Sequence, residues 1–337
     1  MIDWRRPIEW MTQGERRWRR VGLLLLVFGS TFGLVLIAWV GTCGFYGCPS
    51  TAQIQAFQPS EGSRVLDRSG KLIGRLAYVR RINVPVNTVP RSVRAAFIAT
   101  EDRRFYYHGG VDWRSAGRAL VRNVSEIGVR EGFSTITMQV VRNAFLPHLS
   151  NERSLRRKLI ELELARRLER TLTKQQILET YLNIIYLGNG TYGVEAASRD
   201  LFGKGVRRLS LAEAATLAGL AKGPSLYAPR RHPERARARR DLVLSLMAQE
   251  GYITPEIAAR AKQEPLRLAP AEWRPTRSPS YALDPIREAV DSVLGRTAAT
   301  AGDLVVHSTL DAEAQKAAEG ALRIGRASCR ERVCNDV

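Results

Sequence analysis

One uncharged apolar segment limits the architecture of this chain more than any other feature of its sequence. Residues 21–40 read VGLLLLVFGSTFGLVLIAWV. About 20 apolar residues in a helix span the roughly 30 Å hydrocarbon core of a bilayer. The sequence therefore predicts one N-terminal transmembrane helix at residues 21–40, preceded by a basic tail at residues 1–20.

The residues around this segment predict its orientation. The arginines before it are Arg5, Arg6, Arg16, Arg17, Arg19 and Arg20. Because such an excess stays on the cytoplasmic side, we expect the tail in the cytoplasm and the rest of the chain on the outer side of the membrane. A cleaved signal peptide is the alternative. Its apolar core is usually shorter, and the sequence GTCG that follows is a poor cleavage site, so a retained anchor is preferred.

The charge of the chain indicates the chemistry of its partners. The 337 residues carry a formal net charge of +19, which favours anionic partners. Phosphate-bearing substrates and phospholipid headgroups fit a domain outside the cytoplasm. Nucleic acid does not fit that location, and no nucleic-acid-binding motif is recognisable.

Four cysteines stand in two pairs of equal spacing, Cys43 with Cys48 and Cys329 with Cys334. Neither pair has the spacing and the histidine partners of a zinc site. An oxidising compartment would let Cys43 and Cys48 form a disulfide. Two free cysteines in a juxtamembrane loop are the preferred interpretation.

Beyond the anchor, the sequence predicts a linker at residues 41–63 and a mainly α-helical domain at residues 64–250. Alternating apolar positions around the turn Asp67-Arg68-Ser69-Gly70 predict a small β hairpin before the helices. Helical periodicity dominates afterwards. It predicts helices at residues 91–99, 113–124, 154–170, 174–187, 194–201, 211–220 and 233–250, and a short one that Thr254 caps.

Five stretches in this region carry a resemblance to a known family. They read EDRRFYYHGGVD from Glu101, GFSTITMQVVRN from Gly132, RKLIE from Arg157, ILETYLNIIYLGNGTYGV from Ile177 and LAEAATLAGLAKGP from Leu211. In this order they resemble the glycosyltransferase domain (glycosyltransferase family 51) of class A penicillin-binding proteins and of monofunctional transglycosylases. The resemblance covers residues 64–250 and implies a lysozyme-like glycosyltransferase fold.

The first motif supplies the predicted base. By composition alone, Glu101 and Asp102 are ordinary surface acids at a helix end. The matching positions of Phe105 and His108 reverse that preference. The resemblance implies that Glu101 takes the proton from the acceptor sugar's 4-hydroxyl, a role that favours a raised pKa from partial burial. Asp102, Phe105 and His108 are expected to bind substrate.

The second motif is rich in groups that suit sugar and pyrophosphate oxygens. The expected substrate contacts are Ser134, Thr135, Gln139, Arg142 and Asn143. The alternative is that the small hydroxyl residues only cap a helix or form a turn. Met138 stands where many family members carry glutamine, which puts a contact there in doubt. Arg142 stands where they often carry lysine, and it would bind phosphate as a fork.

The third motif allows a test that is independent of the family. On a helical wheel Glu161 falls within the apolar arc, whereas Glu163 falls on the charged side and can pair with Arg167. A carboxylate on an apolar face is costly unless it is paired or functional. Glu161 is therefore the predicted second catalytic acid. The resemblance implies that it handles the donor's pyrophosphate together with Arg157 and Lys158; simple pairing with those cations is the alternative.

The last two motifs are interpreted mainly as scaffold. The fourth is expected to end a long helix at Leu187-Gly188, and it supplies Asn183 as a candidate substrate-binding residue. The fifth is expected to form a core helix followed by a loop with Lys222. For Lys222, a substrate contact, a membrane contact and solvation are left open.

The resemblance implies that the enzyme polymerises lipid II. The growing glycan on a polyprenyl pyrophosphate is the donor, and its anomeric configuration inverts as the pyrophosphate leaves. Expected partners are lipid II, the lipid-linked nascent glycan, the inner membrane and other cell-wall synthesis proteins. The sequence requires no cofactor and assigns no metal ligand, and a divalent cation (Mg²⁺ or Mn²⁺) is left open. A lysozyme-like glycan-cleaving enzyme and a non-catalytic anchored scaffold compete with this function.

The C-terminal part resembles the lead-in to a transpeptidase domain. Within residues 251–323 we expect a proline-rich boundary at 265–285, a strand at 303–310 and a helix at 311–323. No S-x-x-K, S-x-N and K-T-G set is found, so neither transpeptidase activity nor penicillin binding is expected. Residues 324–337 are expected to be an irregular, non-native tail. Residues 324–333 look like a translated sequencing adapter, which predicts a truncated gene model.

Overall fold

The structure is a computed structural model that describes residues 6–44, 47–61, 63–76, 80–125, 134–146, 154–270, 282–300 and 304–333. Several of the sequence-based predictions fall outside these residues. They concern Arg5, Gly132 at the start of the second motif, part of the proline-rich boundary, and Cys334.

The predicted anchor forms most of the first helix, α1 (Arg6–Gly41). Its segment Val21–Gly41 has 21 residues with a mean hydropathy of 2.5, and none of it is buried inside the protein. At 1.5 Å per residue the segment is about 31 Å long, which matches the hydrocarbon thickness of a bilayer. The described residues contain one helix of this length and apolarity.

The helices after the anchor build the body of the protein. They are α2 (Thr51–Ala56), α3 (Arg91–Glu101), α4 (Trp113–Ser125), α5 (Ile136–Val140), α6 (Leu155–Thr171), α7 (Lys174–Ile184), α8 (Val194–Phe202), α9 (Leu211–Leu220), α10 (Pro233–Gln249), α11 (Pro255–Gln263), α12 (Leu283–Thr300) and α13 (Ala312–Val333). The predicted helices between α3 and α11 are confirmed in position, whereas α2, α5 and α12 were missed. Hydroxyl caps fix several starts, as Ser154 does for α6 and Thr254 for α11.

The helical body packs around one apolar core. Helix α9 is almost wholly buried, and α3 and α10 lie against it. The fully buried Phe97 of α3 meets Tyr181 of α7 edge to face, with ring centroids 6.0 Å apart. This packing holds the C-terminal end of α3 close to α5 and α7, where the first two motifs meet.

The predicted hairpin is confirmed, and its partner comes from the far end of the chain. Strands β1 (Ser63–Leu66) and β2 (Leu72–Leu76) pair antiparallel, and β6 (Val305–His307) pairs parallel with β1. Val65, Leu76 and Leu283 of α12 form a small second core. The hairpin therefore shares its apolar face with the C-terminal segment.

The fourth motif does not end its helix where expected. Helix α7 ends at Ile184, and β4 (Tyr186–Gly188) then pairs with β5 (Thr191–Tyr192), which also pairs with β3 (Arg80–Arg81). The prediction of a helix to residue 187 is wrong because the chain turns back onto itself. Gly193 has φ of 80°, and a Cβ there would stand 2.8 Å from the carbonyl oxygen of Asn183.

Two further expectations at the ends of the chain are wrong. Cys43 and Cys48 form a disulfide, and Gly44 and Gly47 adopt positive φ angles that let the short loop close. The tail expected to be irregular is helical as far as Val333, because α13 continues through it. Alanine, arginine and glutamate in this stretch all favour helix.

Candidate active site

Glu101 is the last residue of α3. The apolar run before it is buried in the core, and it brings the Glu101 side chain to the edge of the interior, where it is half-buried. Asp102 leaves the helix with φ of −158°, while its N–H donates to the carbonyl oxygen of Ile98 at 3.0 Å. The end of the helix therefore fixes the position of the Glu101 carboxylate.

Asp102, the residue after Glu101, and His108 bind each other. Nε2 of His108 lies 2.9 and 3.0 Å from the two oxygens of Asp102, which also accepts from the backbone N–H of Ile136 at 3.0 Å. Phe105 is fully buried, and the ammonium of Lys174 lies 4.5 Å from its ring centroid. These three predicted substrate ligands are thus occupied by contacts within the protein: Asp102 joins the end of α3 to α5, and Phe105 packs under Lys174 of α7.

The second motif delivers an amide to Glu101. Thr135 caps α5: its hydroxyl donates to the carbonyl oxygen of Gly110 at 2.6 Å and accepts from the N–H of Met138 at 3.1 Å. One turn later, Nε2 of Gln139 donates to Oε2 of Glu101 at 2.9 Å. Thr135 therefore acts as the cap that the alternative interpretation described, and Gln139 is the contact between the first two motifs.

Met138 and Arg142, the two positions where this chain departs from the pattern of the family, differ in burial. Met138, where many family members carry glutamine, is fully buried in the core. Arg142 lies in a π-helical turn, Val141–Phe145, and is half-buried, whereas Asn143 is exposed. Wide turns of this kind are frequent at functional sites.

Helix α6 carries a second carboxylate centre. Glu161 is fully buried, and its carboxylate accepts from Arg157 Nη1 and, at 3.4 Å, from Lys158 Nζ. Lys158 Nζ also donates to the hydroxyl of Ser134 at 2.8 Å, which connects α6 to the start of the second motif. Glu163 is partly exposed and pairs with Arg167 at 2.9 Å, so the helical wheel placed both glutamates correctly.

Electrostatics connects the two carboxylate centres. Burial raises the pKa of Glu101, and the Gln139 hydrogen bond and the charges of Arg239, Lys222 and Arg142 oppose the rise. Burial lowers the pKa of Lys158, Glu161 opposes this, and Arg142 lowers it further. Arg142 acts on both groups, and it therefore lies within electrostatic range of each centre.

Sequence reasoning missed Arg239 and left Lys222 undecided. Arg239 of α10 donates to the carbonyl oxygen of Gly219 at 3.4 Å and lies 5.6 Å from the ring of Tyr227. The sequence did not reveal the influence of Arg239 on Glu101, because α10 contains several arginines and no sequence pattern distinguishes the one that lies near the site. Lys222 follows α9 and contributes to the same field.

The side chain of Asn183 makes hydrogen bonds within the protein. Its Nδ2 donates to the carbonyl oxygen of Val84 and its Oδ1 accepts from the N–H of Val84, both at 3.0 Å. The side chain is buried, and both ends of the amide are used. Asn183 therefore holds the segment before α3 onto α7, which differs from the expected contact with substrate.

The side chains of the second centre do not suit a divalent cation. The carboxylate of Glu161 already accepts from Arg157 and Lys158. Among the described residues, no three or more His, Cys, Asp or Glu side chains form a group that could hold a metal ion. Mg²⁺ prefers carboxylate oxygens together with water, so we derive no step through a metal ion.

Comparisons with known proteins identify the family of this chain. The family model described as Transglycosylase matches residues 69–248. Penicillin-binding protein 1A of Aquifex aeolicus is 41% identical over 305 residues, which cover 89% of this chain and 41% of that protein. Penicillin-binding protein 1A of Neisseria meningitidis is 39% identical over 299 residues, which cover 88% of this chain and 37% of that protein.

A solved structure is also similar. It is the crystal structure of penicillin-binding protein 1A from Haemophilus influenzae, 27% identical, with a TM-score of 0.42 over 79% of this chain and 29% of that one. A TM-score of this size adds nothing to the fold described above. The chain spans about two fifths of the length of the curated relatives that it matches.

Proposed function

We propose, from the premise that this chain belongs to the transglycosylase family, that it is a peptidoglycan glycosyltransferase that polymerises lipid II. The family match covers more than half of the 337 residues. The donor is the growing glycan on polyprenyl pyrophosphate, and the acceptor is the disaccharide of lipid II. A bond forms between the acceptor's 4-oxygen and the donor's anomeric carbon, and the bond from that carbon to pyrophosphate breaks.

The environment of Glu101 is the observation that carries this proposal. A general base works best when its pKa lies near the working pH, and burial raises the pKa of Glu101 in that direction. Gln139 fixes one carboxylate oxygen, which leaves the other to accept the proton of the 4-hydroxyl. The oxygen attacks from the face opposite the pyrophosphate, so the configuration inverts. A positioned base contributes about 10²–10⁴-fold to the rate.

The second centre stabilises the leaving group. Negative charge grows on the pyrophosphate as its bond to the sugar breaks, and cations that are already in place stabilise it without reorganisation. Arg157 and Lys158 are held in place by Glu161, and Lys158 also by Ser134. Arg142 lies within range of both centres and bridges the reacting carbon and its leaving group.

The anchor defines where the reaction occurs. We place α1 across the inner membrane with its basic N-terminus in the cytoplasm, because arginine is concentrated before the apolar segment. The helical body then lies on the outer face, where the polyprenyl chains of donor and acceptor remain in the bilayer. Other cell-wall synthesis proteins are proposed partners on the same face.

The test is polymerisation of labelled lipid II by the detergent-solubilised chain, followed by gel separation of the products. We expect a ladder of glycan strands from the unaltered chain and none from a Glu101→Gln variant of normal stability. The same preparation is incubated with purified cell-wall sacculi. Release of soluble sugar fragments without any ladder would replace this proposal with a lysozyme-like hydrolase.

A further inference from the structure

The end of the membrane helix is bound to the helical body. Nη2 of Arg167 on α6 donates to the carbonyl oxygen of Gly41, the last residue of α1, at 2.5 Å. The guanidinium of Arg156 lies 6.0 Å from the ring centroid of Trp39. Arg156 and Arg167 are three turns apart on α6, and both contact the same end of α1.

The loop after α1 packs against the same helix. The disulfide closes this loop, and Cys43 is buried in the main core. A Cβ on Gly44 would stand 3.4 Å from Cδ1 of Ile160, the residue before Glu161. A loop that is closed covalently and packed on α6 has few alternative conformations.

Helix α6 therefore carries two structures at once, the attachment of the anchor and the second carboxylate centre. We propose that residues 39–44 and 47–48, Arg156 and Arg167 form an anchor clasp that sets the height and tilt of the second centre relative to the bilayer. Arg156 and Arg167 are positioning residues, since they act through α6. This inference rests on the proposed function, because the readout is glycan polymerisation.

The physical reason lies in the substrate. The pyrophosphate of a polyprenyl-linked sugar is held at the membrane surface by its chain, so a cationic site must stand at a matching height to meet it. The clasp fixes that height through a helix about 26 Å long, from 17 residues at 1.5 Å each. A water-soluble analogue with a short lipid chain meets the site in solution and does not depend on its height.

The experiment compares two rates for the full chain in vesicles: polymerisation of embedded lipid II and of the short-chain analogue. We expect Arg167→Ala and the double variant Cys43→Ser/Cys48→Ser to lower the ratio of the first rate to the second by about fivefold, which corresponds to the loss of roughly 1 kcal/mol of attachment. The matched control is Arg170→Ala, which removes an exposed arginine of the same helix. Its ratio is expected to stay unchanged.

Two outcomes separate the failure of this inference from failure of the proposed function. If the unaltered chain polymerises neither substrate, the proposed function is wrong. If it polymerises both and the clasp variants lose both rates equally, the clasp is only a structural support and the inference is overturned. Reducing the disulfide in the unaltered chain repeats the test without a substitution, and it should lower the ratio as the double variant does.

Discussion

The two glutamates of the site sit in opposite environments, and the difference assigns their roles. Glu101 ends a helix, is half-buried, and accepts a hydrogen bond from the neutral amide of Gln139. Glu161 lies within a helix, is fully buried, and contacts Arg157 and Lys158. A carboxylate with a neutral partner can take up a proton, whereas one between two cations holds those cations in place.

The largest effect is expected where the proton is transferred. Glu101→Gln keeps the size of the side chain but removes the acceptor for the proton. We expect glycan synthesis from lipid II to fall by about 10²–10⁴-fold, the contribution of a positioned base. Thermal unfolding should be almost unchanged, because Glu101 forms no ion pair with any of the residues that the structure describes. Near-normal synthesis by this variant would remove the assignment of Glu101 as the base.

A smaller loss is expected at the second centre, together with a loss of stability. In Glu161→Gln the cations Arg157 and Lys158 face each other without a carboxylate. The loss of charged hydrogen bonds is worth about 1.5–3 kcal/mol, or roughly 10–100-fold in rate. Both the melting temperature and kcat should therefore fall, unlike the result for Glu101→Gln. An unchanged melting temperature would show that the two centres do not differ in this way.

The contrast between the centres was only partly predictable from the sequence. The side of α6 on which Glu161 lies follows from the position of leucines along one helix, because such a pattern is local. Asp102 contacts Ile136, which is 34 positions away in the sequence, and Thr135 contacts Gly110, which is 25 positions away. No local sequence pattern encodes contacts of this kind.

The same limit explains the other differences between expectation and structure. The pairing of β1 with β6 joins residues at opposite ends of the chain, from Arg64 to Val305. Arg239 stands in a run of arginines on α10, so its proximity to Glu101 depends on how α10 packs on α9 and α3. The disulfide depends on a loop of glycines with positive φ, which spacing alone does not reveal.

The pH dependence of glycan synthesis tests the role of Gln139. Its hydrogen bond lowers the pKa of Glu101, whereas burial raises it. Because the base must be ionised, activity is lost as the pH falls through this raised pKa. Gln139→Met keeps the length of the side chain and removes the donor, so the pKa should rise further. We expect the acid limb of kcat/KM to move to higher pH. A limb that moves to lower pH would contradict the assigned hydrogen bond.

The smallest effect is expected at Glu163, two residues from the second centre. Glu163 and Arg167 form a partly exposed pair with side-chain exposures of 22% and 34%, and such pairs are worth about 0.2–1 kcal/mol. Glu163→Gln should therefore change kcat by less than about fivefold on the soluble analogue, against the larger loss for Glu161→Gln. The two variants carry the same substitution on the same helix, so unequal losses reflect the side of the helix alone. Equal losses would mean that the apolar face of α6 does not determine which glutamate supports the reaction.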